Sequence, residues 1–373
     1  MSMDISHMAR EVAEIPEAAR RFLTLSAGAT AQAAEAMRAA DPALVVTVAR
    51  GSSDHAATYL KYAVELLAGV PVASVGPSVA SIYRRPLRLG RAACVGISQS
   101  GESPDIVEMM RSAAAGGALT VAVTNHAESP LARASAHTLA LQSGPEQSVA
   151  ATKTFVASVL AGLALLAEWQ EDEDLRRAVS DLPEAFAQAL ALDWSPLSDR
   201  LSRAQSLYVL GRGPAFAIAN EAALKFKETC GLHAESFSAA EVLHGPAAIV
   251  QAQFPVLALG VEDAALPRLM ETAARLAAQG ADVFLTGADV AGVTPLPSLP
   301  GLHPLCAPLV LAVSFYAFVE GLARRRGFDP DVPPHLRKVT RRYERPDLHR
   351  SCGFRRDKAA SRCIPACRGW QGG

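Results

Sequence analysis

Residues 92–104 read AACVGISQSGESP, and this stretch decides the fold. Its first six residues are small and apolar, the pattern of a strand buried on both faces, Ala92–Ile97. Residues 98–103 then bring hydroxyls and a glycine that lets the backbone turn. Pro104 opens a helix to about Ala115, because proline suits a first helical turn. A strand that ends this way gathers hydroxyls and helix N–H groups at one point, which makes an anion-binding cradle. No GK[ST] occurs, so the turn is not a Walker A loop. The same composition also suits an ordinary N-capped turn, and a second cluster tips the balance. Arg50-Gly51-Ser52-Ser53 likewise follows an apolar run, Leu44–Val48, and precedes a helix expected over 55–67. Two hydroxyl-rich loops on neighbouring strand ends point to a phosphate monoester. With no Lys or Arg inside 98–103, neutral donors are expected to hold it.

The alternation continues outward. Residues 8–39 read as helix. Runs at 72–75, 120–123 and 138–141 add strands, and a long helix starts at about Thr152. Residues 170–200 read as a charged helical linker broken at Pro183 and Pro196. The cycle then recurs, with strands at 207–210, 256–259 and 282–285 and helices at 215–230, 266–280 and 308–325. Strands alternating with helices of this length imply an α/β architecture of parallel sheets covered on both faces. Ligands of such sheets bind at the carboxyl ends of the strands. TVARGSS and YVLGRGPA share a strand, an Arg-Gly turn and a helix, so two copies of one unit are the simplest organisation.

Composition narrows the function classes. The 373 residues suffice for two domains, half are apolar, a fifth are charged, and the formal net charge is −1. That is the profile of a globular enzyme, with nothing favouring nucleic acid or an anionic membrane as partner. The first residues carry charges and no apolar h-region, so no signal peptide and a cytoplasmic location are expected. The apolar stretch between Lys153 and Glu168 is too short for a bilayer and reads as a buried core helix. Cys94, Cys230 and Cys306 stand singly in apolar contexts, as thiols of a reducing compartment do. Residues 341–373 differ, with nine Lys/Arg against three Asp/Glu. Cys352, Cys363, Cys367 and His349 could supply a zinc set, but no CxxC pair is present. The segment reads as a disordered basic tail, from a shifted reading frame or an artefact of cloning rather than a functional module.

A second constellation lies in EAALKFKE. Glu221, Lys225 and Glu228 stand at i, i+4 and i+7, one helix face. A solvated salt-bridged stripe has the same pattern, but this helix leaves a strand-end turn, where a site belongs. A carboxylate held beside a lysine stays ionised and can serve as a general base. Downstream, His244 in a His-Gly-Pro turn is a candidate exposed imidazole.

ISQSGES, VAATKTF, GRGPAFAIANEAALKFKETCGLHAESFSAAEVLHGP and PPHLRKVT together resemble the isomerase half of glucosamine-6-phosphate synthase, over roughly residues 8–340. That half is a double sugar-isomerase (SIS) unit, and alone it looks like the SIS-type (type II) glucosamine-6-phosphate deaminases. The resemblance implies two SIS domains, each a flavodoxin-like three-layer sandwich. The expected organisation is an N-terminal helical segment 1–40, a first SIS domain 41–180 that binds the sugar phosphate, a second 198–330, an active-site segment 331–340 and the tail. Phosphate and sugar contacts fall on Ser53, Ser98, Gln99, Ser100 and Ser103, with the Val149 backbone against the sugar. Glu228 matches the carboxylate that shuttles a proton between C1 and C2, and Lys225 its companion on the helix. His244 matches an imidazole that helps open the sugar ring from the neighbouring subunit of a homodimer. Lys338 matches a lysine that forms an imine with the keto sugar. No metal or other cofactor is implied, and the partner is a small sugar phosphate. Two departures stand out. The family's Cys-Gly-Thr-Ser is Arg50-Gly51-Ser52-Ser53 here, and its Ala-Ser-Thr-Lys is Ala150-Ala151-Thr152-Lys153, one hydroxyl fewer.

The synthase carries a glutaminase domain before its isomerase half, whereas this sequence opens almost directly on the SIS unit. The expectation is therefore a glucosamine-6-phosphate deaminase releasing fructose 6-phosphate and ammonia. Alternatives are an ammonia-dependent aminating isomerase, a galactosamine-6-phosphate deaminase, a plain aldose–ketose isomerase and a non-catalytic sugar-phosphate sensor. Glu228, His244 and Lys338 together argue against the sensor.

Overall fold

The computed structural model describes residues 5–336. Lys338, the rest of the segment after Leu336, and the tail with Cys352, Cys363, Cys367 and His349 lie outside the described residues. Strands β1 (Leu44–Val48), β2 (Val72–Ser74), β3 (Ala92–Ile97), β4 (Leu119–Thr124) and β5 (His137–Ala140) form one parallel sheet in the order β2-β1-β3-β4-β5. Strands β6 (Ser206–Gly211), β7 (His233–Ser238), β8 (Pro255–Ala258), β9 (Asp282–Thr286) and β10 (Thr294–Leu296) form a second, in the order β10-β9-β8-β6-β7. Counted from its own first strand, each sheet has the order 2-1-3-4-5. The repeat glimpsed in two Arg-Gly turns is thus a repeat of topology. Each sheet opens a crevice between its first and third strands, where the chain crosses to opposite faces.

Successive strand residues point to opposite faces, and the two faces meet different cores. Val46, Val48, Ala92 and Cys94 pack with Met109 and Met110 of helix Pro104–Ala115 on one side. Val45, Ala93, Val95 and Ile97 face the other way, into a core that also takes Leu207, Val209 and Leu257 from the second sheet. Helices Ser52–Leu67, Lys153–Gln170, Pro214–Cys230 and Ala307–Arg325 fill this shared core. Lys153–Gln170 is buried nearly all round, as the charge-free run between Lys153 and Glu168 implies. Ala307–Arg325 is long and apolar enough to cross a membrane, but most of it is buried here among the other core helices.

Several boundaries differ from the sequence reading. Residues 8–39 form three helices, His7–Ala13, Ile15–Leu25 and Ala27–Ala40, because Pro16 starts a new first turn and Ser26 closes it. The helix after β1 starts at Ser52, three residues early, so the Ser52 and Ser53 hydroxyls sit in its first turn. Pro183 does not break its helix but lies inside Glu173–Ala189, where burial of Leu182, Ala185 and Phe186 outweighs the lost hydrogen bond. Pro196 opens helix Ser195–Leu201 rather than ending one. Strands β7 and β10 were not expected. Both lie on sheet edges, and the polar sequence of β7, HAESFS, lacks the apolar run of a central strand.

The first helix ties distant parts together. Its opening N–H groups, on His7 and Met8, donate to the Asp331 carboxylate at 2.6 and 2.8 Å, and the Ser6 hydroxyl donates to Glu320 at 2.6 Å. One turn further on, the buried Glu11 carboxylate accepts from the Gln147 N–H and, at 2.5 Å, from the Ser148 hydroxyl. Glu146 accepts from the Thr152 and Thr154 N–H groups and the Thr154 hydroxyl. Lys153 reaches Glu14 at 2.5 Å. The loop carrying Val149 is thereby pinned at both ends.

Gly51 (φ +55°, ψ −135°) and Gly213 (φ +60°, ψ −140°) occupy the same unusual backbone state just before the first core helix of each half. No atom lies within 4 Å of a Cβ placed at Gly213, so only its dihedrals demand glycine. Gly213→Ala is expected to cost about 1–3 kcal/mol in urea unfolding. Gly28→Ala, in open space within a helix, is expected to be neutral or slightly stabilising, by up to about 1 kcal/mol.

Candidate functional site

The two hydroxyl-rich loops flank the crevice between β1 and β3. In the loop after β3, Gly101 (φ +63°) lies so close to Ser129 and Thr124 that any Cβ would collide with them. This packs the turn tightly against β4 and its following helix. The buried Ser98 hydroxyl accepts from the Gly101 N–H at 3.2 Å and shapes the turn, while Ser100 accepts from the Glu102 N–H at 3.3 Å. Ser103 occupies the N-cap of Pro104–Ala115 without a side-chain capping bond. The Ser53, Gln99 and Ser103 side chains are only partly buried, in or beside the first turns of two helices. They make no hydrogen bond among the described residues, so their polar groups are uncommitted there. The basic residue of the first loop does not join them. Arg50 is mostly exposed and pairs with Asp105, in the first turn after β3, clasping one loop to the other. Val149 sits partly buried in the pinned loop, ahead of helix Lys153–Gln170.

The second half contributes a helix. At its own crevice, the turns after β6 and β8 read Arg212-Gly213 and Leu259-Gly260-Val261-Glu262-Asp263, without a hydroxyl and with two carboxylates. Of the two crevices, only that of the first half is therefore lined by hydroxyl-rich turns. Helix Pro214–Cys230 instead packs along helix Ser52–Leu67, whose first turn carries Ser53. Glu221 and Lys225 are 1% and 0% exposed and their charges lie 3.5 Å apart. Lys225 also bonds Glu228, which is one-fifth exposed. The expected face exists, but as a buried ion triad rather than a solvated stripe. Glu221 and Glu228, seven residues apart, are separated by about 10 Å along the helix.

Two members of this network were not foreseen. His55, two residues beyond Ser53, lies 2.9 Å through Nδ1 from Glu221 Oε2. The buried Tyr316 hydroxyl donates to Glu221 Oε1 at 2.8 Å. A lone histidine after ARGSSD and a tyrosine inside an apolar helix carry no local signal. Their roles arise only where three core helices meet.

The electrostatics follow from burial and pairing. Burial works to raise the Glu221 carboxyl, but the Lys225 ammonium, His55 and Tyr316 outweigh it and hold it below the usual carboxylate range. Burial likewise works to lower Lys225, yet Glu221 and Glu228 leave it above the usual lysine value. Tyr316 is pushed well up by burial and then by the Glu221 charge, so it stays a donor. The thiol at the end of this helix, Cys230, is pushed up to about 11 by burial and is inert. His244 stands apart from the triad. It is exposed, it ends the short 3-10 turn Glu241–Leu243 after β7, and its side chain makes no hydrogen bond among the described residues. Chemically, the arrangement offers neutral donors for a phosphate, a partly exposed carboxylate paired with a buried ammonium, and a separate exposed imidazole.

Comparison with known proteins places the fold in a family. The SIS domain profile matches residues 41–168 and 200–286, and the chain belongs to the SIS-domain family of sugar-phosphate isomerases. Among curated relatives, a glutamine–fructose-6-phosphate aminotransferase (isomerizing) from Zymomonas mobilis is 33% identical over 312 residues, which is 79% of this chain and 51% of the relative. This chain spans about half the length of the curated relatives it matches. A solved structure from Silicibacter pomeroyi DSS-3, provisionally described as a phosphosugar isomerase, is 56% identical with a TM-score of 0.85, covering 88% of this chain and all of its own. The C-terminal domain of a glucosamine–fructose-6-phosphate aminotransferase from Francisella tularensis is 26% identical with a TM-score of 0.79, covering 89% of this chain and all of its own.

The buried triad gives stability a definite pH dependence. With its pKa lowered by folding, Glu221 contributes fully above the usual carboxyl value of 4.5, and the contribution is lost as pH falls through the lower folded value. Lys225 does the reverse: its contribution is complete below the usual 10.5 and is lost as pH rises through the higher folded value. In urea titrations, Glu221→Gln is expected to lose about 3–5 kcal/mol at neutral pH, because it breaks a buried pair. Between about pH 5 and pH 3 its stability should fall less steeply than that of the unsubstituted protein.

Proposed function

We propose that this chain interconverts fructose 6-phosphate and glucosamine 6-phosphate with ammonia as the nitrogen partner, in the aminating sense of the aminotransferase isomerase domains it resembles. The observation that carries this reading is the Lys225–Glu228 pair on a helix packed beside the hydroxyl cradle. Ser53, Ser98, Gln99, Ser100 and Ser103 hold the phosphate through neutral donors, and the Val149 backbone faces the sugar. His244, supplied by the second subunit of a homodimer, moves the proton that opens the ring. Ammonia adds at C2 and water leaves, giving a C2 imine. The imine nitrogen takes up a proton from solvent while Glu228 takes one from C1, which forms the enaminol, and Glu228 then returns its proton to C2. The C1 hydroxyl proton is released as the aldehyde forms, and glucosamine 6-phosphate results. Lys338 is assigned to the keto-sugar imine on the resemblance alone. Run backward, the same steps release ammonia from glucosamine 6-phosphate, the deaminase direction. Concentrations, not geometry, choose between the two.

Both directions are tested on the purified protein: ammonia uptake with fructose 6-phosphate and ammonia release from glucosamine 6-phosphate, with galactosamine 6-phosphate alongside. Glu228→Gln is expected to lower kcat by about 10²–10⁴ with little change in KM. No turnover of any of these sugars, with binding intact, would replace the enzyme with a sensor. The shared site has its own test. Inactive Glu228→Gln and His244→Ala proteins, mixed and allowed to exchange subunits, should regain about a quarter of full activity through heterodimers. No recovery would place His244 outside the partner's site.

A further inference from the structure

The Glu221 carboxylate is buried, and its two oxygens are served unequally. Oε1 takes the Tyr316 hydroxyl at 2.8 Å and lies 3.5 Å from Lys225. Oε2 has His55 alone among the described residues, at 2.9 Å. Because the carboxylate is ionised, the proton of this bond sits on Nδ1 of His55. Lys225 stands between two carboxylates, Glu221 and Glu228, and Glu228 has no other cationic partner among the described residues. The more fully Glu221 is satisfied elsewhere, the more of the ammonium remains for Glu228.

We infer that His55 is a positioning residue: by donating to Glu221 it leaves Lys225 on Glu228, and it ties the orientation of that carboxylate to occupancy of the sugar-phosphate cradle. This rests on the proposed function for its chemistry but on geometry for its linkage. His55 and Ser53 share the first turns of helix Ser52–Leu67, so a phosphate held at Ser53 stiffens the turn that aims the imidazole. The bond from His55 crosses 166 residues of sequence to the helix carrying Glu228. Without the imidazole, a lone pair of a buried carboxylate goes unsatisfied, and Glu221 draws Lys225 toward itself. Glu228 then loses its partner while the phosphate cradle stays intact.

The amide nitrogen of asparagine can stand where Nδ1 stands, and that of glutamine only where Nε2 stands. His55→Ala, His55→Asn and His55→Gln therefore separate the linkage from mere packing. With glucosamine 6-phosphate or with fructose 6-phosphate and ammonia, His55→Ala and His55→Gln should lower kcat about tenfold or more with KM nearly unchanged. His55→Asn should restore most of the rate. A rise in KM matching the loss in kcat, or equal loss in all three variants, would overturn the assignment. An arm without turnover uses fructose 6-phosphate as probe in hydrogen–deuterium exchange. Binding should protect helix Pro214–Cys230 in the unsubstituted and Asn proteins and not in the Ala protein. If no sugar is turned over but this pattern holds, the proposed reaction fails and the linkage stands. If turnover is normal and protection is the same in all proteins, the linkage fails and the reaction stands. If fructose 6-phosphate does not bind, both fall.

Discussion

A carboxylate removed from water has to be neutralised where it lies. Glu221 meets that demand with an ammonium from its own helix, an imidazole from the first half of the chain and a phenol from helix Ala307–Arg325. The two sheets share one core, and this carboxylate is a buried charge inside it. Packing of the apolar helices alone would tolerate sliding. A buried charge with several directional partners does not, because each ångström of slip strands a donor or an acceptor. The alignment of helix Ser52–Leu67 with helix Pro214–Cys230 therefore depends on satisfying Glu221.

Much of the fold is legible because its central strands are apolar on both faces. Leu44–Val48 and Ala92–Ile97 coincide with the sequence reading, as does helix Pro104–Ala115, which starts on a proline. What stays hidden is what depends on partners far along the chain. Edge strand β7 exists because β6 offers it a ladder, not because HAESFS prefers to be extended. Pro183 is read as a stop by local rules, yet its helix is held by burial on both sides. The Ser-rich loops lie where strand ends were expected, and Glu221, Lys225 and Glu228 share the face their spacing implies. His55, Tyr316 and Glu11 leave no local trace, since each acquires its meaning from a residue more than ninety positions away.

The two halves share one topology and differ in the loops at their strand ends. Gly51 and Gly213 keep the same backbone state, and the helix after each packs into the same core. The first half kept hydroxyls at its strand ends. The second carries Glu262 and Asp263 there, groups that repel a phosphate, and presents the side of its helix instead. Division of labour in this molecule is thus written in loop composition on an unchanged scaffold.

The capping of His7 and Met8 by Asp331 has a consequence for how the molecule comes into being. On the ribosome, the first helix emerges more than three hundred residues before the carboxylate that completes its amino end. Until then it must wait with bare amide groups, and Glu11 has no settled helix from which to grip the loop at Ser148. The first sheet can pair its strands during synthesis. The loop at Ser148 reaches its final register only when nearly the whole described chain has been made, so its fine geometry is a late product of maturation.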